Sequence, residues 1–92
     1  MTSDIEETIK ERGLRYGSFE KNAETTQGMM SVVAQADSYN KLSDMHKEII
    51  HMICHKISRI VNGDPMYVDN VHDIIGYAKG LEDYINKENE KV

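Results

Sequence analysis

The segment from Lys56 to Tyr77 reads KISRIVNGDPMYVDNVHDIIGY, and it decides the fold. It predicts the end of one helix, a tight turn over residues 62–65, and the start of the next helix. Gly63 is typical of a helix stop, and Pro65 suits a first helical turn, where its missing amide costs no hydrogen bond. The segment therefore predicts a helical hairpin that brings its basic first arm against its acidic second arm.

Helical periodicity extends this hairpin along most of the chain. A helix over 43–62, capped by Ser43, has apolar residues around more than half of its circumference, which predicts a central helix packed on two sides. Another helix follows the candidate cap Ser18, and the last helix is expected to begin between residues 65 and 69. We expect an all-α fold, a small antiparallel helical bundle of three main helices plus a short N-terminal helix.

The ends of the chain differ from its middle in apolar content. Ser3 and Glu6 match a capping box at a helix start, and Gly13 is suited to end that helix. The polar residues after Ile85 are expected to fray. The predicted organisation is a short N-terminal helix over 1–13, a helical bundle domain over 14–86 and a frayed tail over 87–92.

Composition excludes several classes of function. The chain has 92 residues and a net charge of −5, which argues against broad binding to nucleic acid or to an anionic membrane. No run is apolar enough for a transmembrane helix or a signal peptide. The single Cys54 cannot form an intramolecular disulfide, so the reducing cytoplasm is the expected location. A chain this small often gains stability by self-association, so we expect a homo-oligomer.

Lys56 is the most informative single residue, because it falls in the middle of the apolar stripe of its helix. An unpaired buried ammonium is costly, so the side chain must reach water or an acid. One interpretation is an internal ion pair with Asp69 or Asp73. The other is a phosphate site, in which Lys56 supplies a point charge and Arg59 a planar fork. The residues are consistent with both interpretations.

Acidic residues near the hairpin form a candidate Mg²⁺ site. Asp69 and Asp73 are four residues apart and share a helical face, and Glu48 lies on the edge of the preceding helix that carries Arg59. Carboxylates facing each other across two helices hold Mg²⁺ together with nucleotide phosphates. The alternative is a solvated acidic face. The pattern of His51, Cys54 and His55 is a poor zinc site, because Cys54 falls on the opposite side of its helix.

Two glycines lie inside the last predicted helix, at positions 76 and 80. Glycine in a helix interior costs stability, so the pair indicates close approach of another group. That group is either another helix, as in a homodimer, or a flat ligand stacked on the adjacent Tyr77. The alternative is sequence drift in a small protein that tolerates the two glycines.

Several of these residues also carry a resemblance to known proteins. The quoted motifs are Arg15-Tyr16-Gly17, Lys56-x-x-Arg59-Ile60, Gly63-Asp64, Asp69, and Asp73-Ile74-x-Gly76-Tyr77-Ala78. Together they resemble a group of small bacteriophage proteins, which is similar in turn to the nucleotide-modification-associated and MazG-like all-α families. This resemblance implies helical dimers or tetramers. It also implies Mg²⁺-dependent hydrolysis of nucleoside triphosphates to monophosphate and pyrophosphate.

The resemblance also implies roles for individual residues. Glu48, Asp69 and Asp73 would lie on the metal side, and Lys56 and Arg59 on the phosphate side. The E-x-x-E set that holds the metal in MazG-like enzymes is missing from its expected place. Asp44 and Glu48 are an approximate substitute for it.

The leading functional hypothesis is a phage-type protein that binds a nucleotide, or sequesters a nucleotide-derived defence signal. Lys56 and Arg59 would contact phosphate, Asp69 and Asp73 would position the base or a Mg²⁺ ion, and Tyr77 would stack on the base. One alternative is a Mg²⁺-dependent MazG-like pyrophosphohydrolase. Another is an acidic protein inhibitor whose partner is a host enzyme.

Overall fold

The computed structural model describes residues 4–91, which form four α-helices and one short 3₁₀ turn. No strand occurs in this part of the chain, so the predicted all-α class is confirmed. None of these helices has both the length and the apolar character needed to cross a membrane. The elements are α1 (Asp4–Tyr16), α2 (Phe19–Val33), the 3₁₀ turn (Tyr39–Lys41), α3 (Asp44–Asn62) and α4 (Val68–Asn89).

Two predicted serine caps set the starts of α2 and α3. The Ser18 hydroxyl accepts a hydrogen bond from the Lys21 amide at 3.1 Å, and the Ser43 hydroxyl accepts one from the His46 amide at 3.1 Å. Each bond satisfies an amide that has no partner within the helix. Gly63 follows the last residue of α3, and α4 begins within its predicted range. These helix boundaries were therefore encoded locally.

The end of α1 differs from the prediction. Gly13 lies inside the helix, which continues to Tyr16, and Gly17 adopts the left-handed conformation with φ 81°. Gly13 has no neighbouring atom within 4 Å of an added Cβ, so nothing there forces the chain to turn. The helix ends instead at Tyr16, just before Gly17, which lies against the backbone of Asn62 at the end of α3. Ser3, the predicted cap of this helix, lies outside the described residues.

The end of α4 also differs from the prediction. The helix continues to Asn89, past residue 86 where a frayed tail was expected. No glycine or proline follows Gly80 to stop it, and Lys91 forms an ion pair with Glu88 at 2.9 Å. Favourable propensity therefore extends this helix beyond its last apolar residue.

The helices form a layer rather than a closed core. The central helix α3 packs against both α2 and α4, as predicted, while α2 and α4 make at most marginal contact with each other. The last turn of α1 rests against α3, and the molecule measures 60 × 26 × 23 Å. In this arrangement Ile49 and Cys54 are the only apolar side chains among residues 4–91 that are buried.

Polar side chains fill the contact between α2 and α3. Thr26 donates a hydrogen bond to the Ser58 hydroxyl at 3.0 Å, and both residues are buried. The Asn62 amide donates to the Asn22 carbonyl oxygen at 3.1 Å, and the Asn22 amide donates to the Tyr16 backbone carbonyl at 2.7 Å. Because buried polar groups are costly without partners, these bonds fix how α2 lies along α3.

Asn70 is the exception in this polar interior. Its side chain on α4 is fully buried, and neither amide atom has a hydrogen-bond partner among the described residues.

We predict that Asn70→Leu raises the free energy of unfolding by about 1 kcal/mol or more, because it removes an unsatisfied buried amide. The matched control Asn22→Leu should lower it, because Asn22 is bonded. Urea denaturation followed by circular dichroism measures both, and a loss of stability in Asn70→Leu would contradict the prediction.

Two glycines allow the α1–α2 junction to touch the α3–α4 turn. A Cβ on Gly17 would collide with the Asn62 carbonyl oxygen, and a Cβ on Gly63 would collide with the Arg15 carbonyl oxygen. The Asp64 amide donates a hydrogen bond to that same Arg15 oxygen at 3.0 Å. The contact therefore requires glycine on both sides.

We predict that Gly17→Ala lowers the free energy of unfolding by at least about 1–3 kcal/mol, because it adds a backbone collision to an unfavourable φ. Gly28 is the matched control. It lies inside α2 with nothing within 4 Å of an added Cβ, so Gly28→Ala should raise stability by up to about 1 kcal/mol. Chemical denaturation of the two variants tests this difference in sign, and equal effects would contradict it.

Candidate functional site

Lys56 and Asp73 form an ion pair between α3 and α4. The Lys56 ammonium lies 2.9 Å from a carboxylate oxygen of Asp73, and Lys56 is only 8% exposed. This hydrogen bond holds the pKa of Asp73 below its ordinary value. The structure thus pairs Lys56 with one of its two predicted acids, and the ammonium is already engaged.

The second predicted acid, Asp69, has a different partner. It accepts a hydrogen bond from the Tyr67 hydroxyl at 2.8 Å, in the short loop that precedes α4. This bond is the largest cause that raises the pKa of Tyr67 to about 12, and the neighbouring Tyr16 is the next. Tyr67 also lies under the guanidinium of Arg15, whose Cζ is 5.2 Å from the ring centroid. Asp69 therefore belongs to an aromatic cluster at the turn.

The predicted metal ligands do not converge. Glu48 is exposed near the start of α3, and its nearest basic neighbour is His51 at 3.8 Å. It precedes Lys56 by two helical turns, roughly 12 Å along the helix axis at 1.5 Å per residue. Asp69 and Asp73 lie at the other end of the hairpin. Among residues 4–91, no three His, Cys, Asp or Glu side chains are grouped so that they could hold a metal ion.

A cavity of about 420 Å³ lies between α1, the start of α2 and the middle of α3. Most of its wall is apolar, and Phe19 at its edge is 84% exposed. Two arginine side chains reach it from different helices. The lining residues that matter for its chemistry are Ile9, Arg12, Tyr16, Phe19, His55 and Arg59.

The two arginines of this cavity share one aromatic ring. The Arg59 Cζ atom is 4.5 Å from the centroid of the Tyr16 ring, and the Arg12 Cζ atom is 4.9 Å from it. Guanidinium groups at these distances are attracted to the ring by its quadrupole. No carboxylate among residues 4–91 lies within 4.0 Å of either guanidinium, whereas the nearby Arg15 is paired with Glu11 at 2.7 Å. Within residues 4–91, the cavity thus carries two guanidinium groups without an ion-pair partner, although the charge of Arg59 also contributes to lowering the pKa of Asp73.

His55 completes the polar part of the cavity. Its pKa is lowered, first by partial burial and then by the positive charges of Arg59 and Lys56. The ring is therefore mostly neutral at pH 7, and it offers one donor and one acceptor instead of a third charge.

Three of the predicted ligand residues line two different concave surfaces, and Lys56 and Asp69 line neither of them. Arg59 lies in the first cavity, while Asp73 and Tyr77 line a second and more open one of about 400 Å³ together with His72 and Gly76. An added Cβ on Gly76 would meet nothing within 4 Å. No part of the described chain therefore approaches this glycine closely.

Sequence reasoning did not assign Arg12, Phe19 or His55 to a ligand site. Arg12 and Tyr16 are four residues apart on α1, which is the spacing that lets them face the same neighbour. That spacing was the one sequence signal for a site at Arg12. It was not sufficient, because the sequence did not show that α1 continues through Gly13 or that its last turn rests on α3.

Comparison with known proteins finds no relative that shares this site. No family model matches the chain, and no curated protein or solved structure is similar to it. The resemblance to phage and MazG-like proteins thus rests on the motif residues alone.

We predict that Asp73→Asn lowers the free energy of unfolding at pH 7 by about 1–2 kcal/mol, because it leaves a buried ammonium without its carboxylate. Loss of a partner from a fully buried pair costs about 3–5 kcal/mol, and the Asp73 side chain is 44% exposed, which reduces the effect. Asp83→Asn is the matched control. It removes an exposed pair with Lys79 at 2.7 Å and should change stability by less than about 0.5 kcal/mol.

The effect of Asp73→Asn should depend on pH. Because the folded pKa of Asp73 is lowered, its ionised form stabilises the protein above about pH 4, the ordinary range of an unfolded Asp. That contribution is lost as the pH falls through the lower folded pKa. Urea titrations at pH 7 and at pH 3 measure the two differences, and an equal loss at both values would contradict the ion-pair explanation.

Proposed function

We propose that this protein binds a nucleotide, or a signal molecule made from nucleotides, in the cavity between α1, α2 and α3. The observation that carries the proposal is the pair of guanidinium groups, Arg12 and Arg59, which line one cavity and have no carboxylate of residues 4–91 within 4.0 Å. The protein as a whole has a net charge of −5, so this is a local reversal of sign. Each guanidinium group offers a planar set of N–H donors, which suits the oxygens of a phosphate group.

The remaining wall of the cavity suits the rest of such a ligand. Small-molecule sites in proteins commonly measure about 300–1,000 Å³ and are mostly apolar, with a few placed polar groups. This cavity has about 420 Å³, with Ile9 and the exposed Phe19 on its apolar side. An exposed phenylalanine at the edge of an arginine-containing cavity offers a stacking surface for a base.

The proposal changes the roles that the sequence assigned. Arg59 keeps its predicted contact with phosphate, and Arg12 replaces Lys56 as the second contact. Lys56 is occupied by Asp73, and it would reach a ligand only after that pair separates. Asp73 lines the second cavity and Asp69 accepts a hydrogen bond from Tyr67, so the proposal gives neither of them a contact with the ligand. Any Mg²⁺ would come with the phosphates of the ligand, which commonly bring this ion with them.

Binding, rather than turnover, is the activity that we propose. The carboxylates expected of a MazG-like catalytic centre are spread along the hairpin, with Glu48 two turns away from Lys56 and Asp73. Sequestration of a nucleotide-derived defence signal requires only a site and sufficient protein. The phage origin, the cytoplasmic location and self-association implied by the sequence belong to this same proposal.

The test is calorimetric titration of the purified protein with nucleoside mono-, di- and triphosphates and with cyclic dinucleotides, with and without Mg²⁺. We predict saturable binding to at least one of them, weakened at least tenfold by Arg12→Ala and by Arg59→Ala. Arg59→Lys should lose part of the affinity, since it keeps the charge but not the fork. A ligand at a hundred times its dissociation constant should also stabilise the protein by about 2.7 kcal/mol.

The matched control is Lys79→Ala, which removes an exposed positive charge from α4, outside the cavity. It should leave the affinity unchanged, and circular dichroism should show all variants folded. Absence of binding across the panel would refute the proposal. Binding that survives both arginine substitutions would place the site elsewhere.

A further inference from the structure

One side of the helical layer carries apolar side chains that no other part of residues 4–91 covers. They come from the second half of α3 and the first half of α4, and we call them the apolar face. Its members and their exposed fractions are Ile57 (36%), Val61 (64%), Val71 (44%) and Ile75 (61%).

Helix geometry places these four residues on one side of the layer. Successive residues of an α-helix are about 100° apart. The ion pair of Lys56 and Asp73 marks the side of the α3–α4 contact on which Arg59 meets α1. Ile57 and Val61 lie about 100–140° around α3 from Lys56. Val71 and Ile75 lie about 160° around α4 from Asp73, and thus also on the opposite side.

The apolar face lacks the second layer that helical domains need. Stable domains bury an apolar helix face against another layer of structure. Here the last turn of α1 covers part of the side that contains Arg59, and the described chain places no helix over the apolar face. The accessible surface is 6882 Å², whereas a compact monomer of 10.5 kDa exposes about 5,400 Å². The excess of about 1,500 Å² is surface that a closed fold would bury.

We propose that a second copy of this chain covers the apolar face and forms a twofold symmetric dimer. A standard interface buries about 800 Å² per partner, which the excess surface can supply. A twofold axis places the same patch on both subunits, so the patch must be complementary to itself.

The distribution of charge on the chain permits a second copy as the occupant. Two chains of net charge −5 repel each other, and they approach at least cost through a surface without ionised groups. Within residues 50–61 and 68–78, Lys56, Arg59, Asp69 and Asp73 lie toward the other side by the same helix geometry. Lys79 and Glu82 continue the apolar face along α4, where they form an ion pair with each other at 3.3 Å. At the apolar face two copies can therefore meet through apolar side chains flanked by an acid that is already paired with a lysine, which keeps the repulsion between them small.

This inference rests on the self-association included in the proposed function, but not on the ligand. Sedimentation velocity of the full chain over a wide concentration range tests it. The wild-type protein should sediment as a dimer, and Val71→Lys and Ile75→Lys should each weaken the dimer at least tenfold. Val32→Lys is the matched control, because Val32 is 69% exposed on α2, away from the apolar face. It should remain a dimer.

A second measurement does not depend on any variant. If the dimer forms, the wild-type melting temperature should rise with protein concentration. A wild-type protein that stays monomeric, with a melting temperature independent of concentration, would refute self-association. A wild-type oligomer that persists in both folded lysine variants would refute this face alone. Nucleotide titration of the same variants reports separately on the cavity, which lies on the other side of the layer.

Discussion

The backbone contact between Gly17 and Gly63 is the constraint on which the rest of the structure depends. Each glycine lies where a side chain would collide with a carbonyl group of the opposing segment. The contact ties the junction of α1 and α2 to the turn between α3 and α4, and so it places Tyr16 beside Arg59. Because none of the residues of α1 is buried, this contact and the ring contacts of Tyr16, rather than an apolar core, hold α1 on α3. The cavity between these helices is thus a consequence of backbone approach.

The layered arrangement explains why the interior is polar. With α2 and α4 on opposite sides of α3, few side chains are surrounded on all sides, and the hydrophobic contribution is small for a chain of this size. Hydrogen bonds such as Thr26 to Ser58 and the ion pair of Lys56 with Asp73 then determine how the helices align. Such groups specify alignment because a misaligned layer would leave them buried and unpaired. The same geometry leaves apolar side chains such as Ile75 exposed.

Sequence patterns predicted the parts of this structure that depend on neighbours in the chain. Caps at Ser18 and Ser43 act within one helical turn, and the hairpin turn placed Lys56 within reach of an acid on the next helix. Local sequence patterns could not show whether α1 ends at Gly13 or at Gly17. The answer depends on which glycine lies against another part of the backbone, and that part is distant in the sequence. Arg12 was missed for the same reason, as its neighbours become visible only after α1 is extended and docked.

The way in which the two cavity arginines are held bears on what the cavity can bind. Lys56 is satisfied by a carboxylate, which neutralises it, whereas Arg12 and Arg59 are satisfied by the ring of Tyr16, which does not. A cation–π contact contributes about 0.5–2 kcal/mol and leaves the full positive charge in place. A phosphate group that reached either guanidinium would gain charge-assisted hydrogen bonds without first displacing an internal acid.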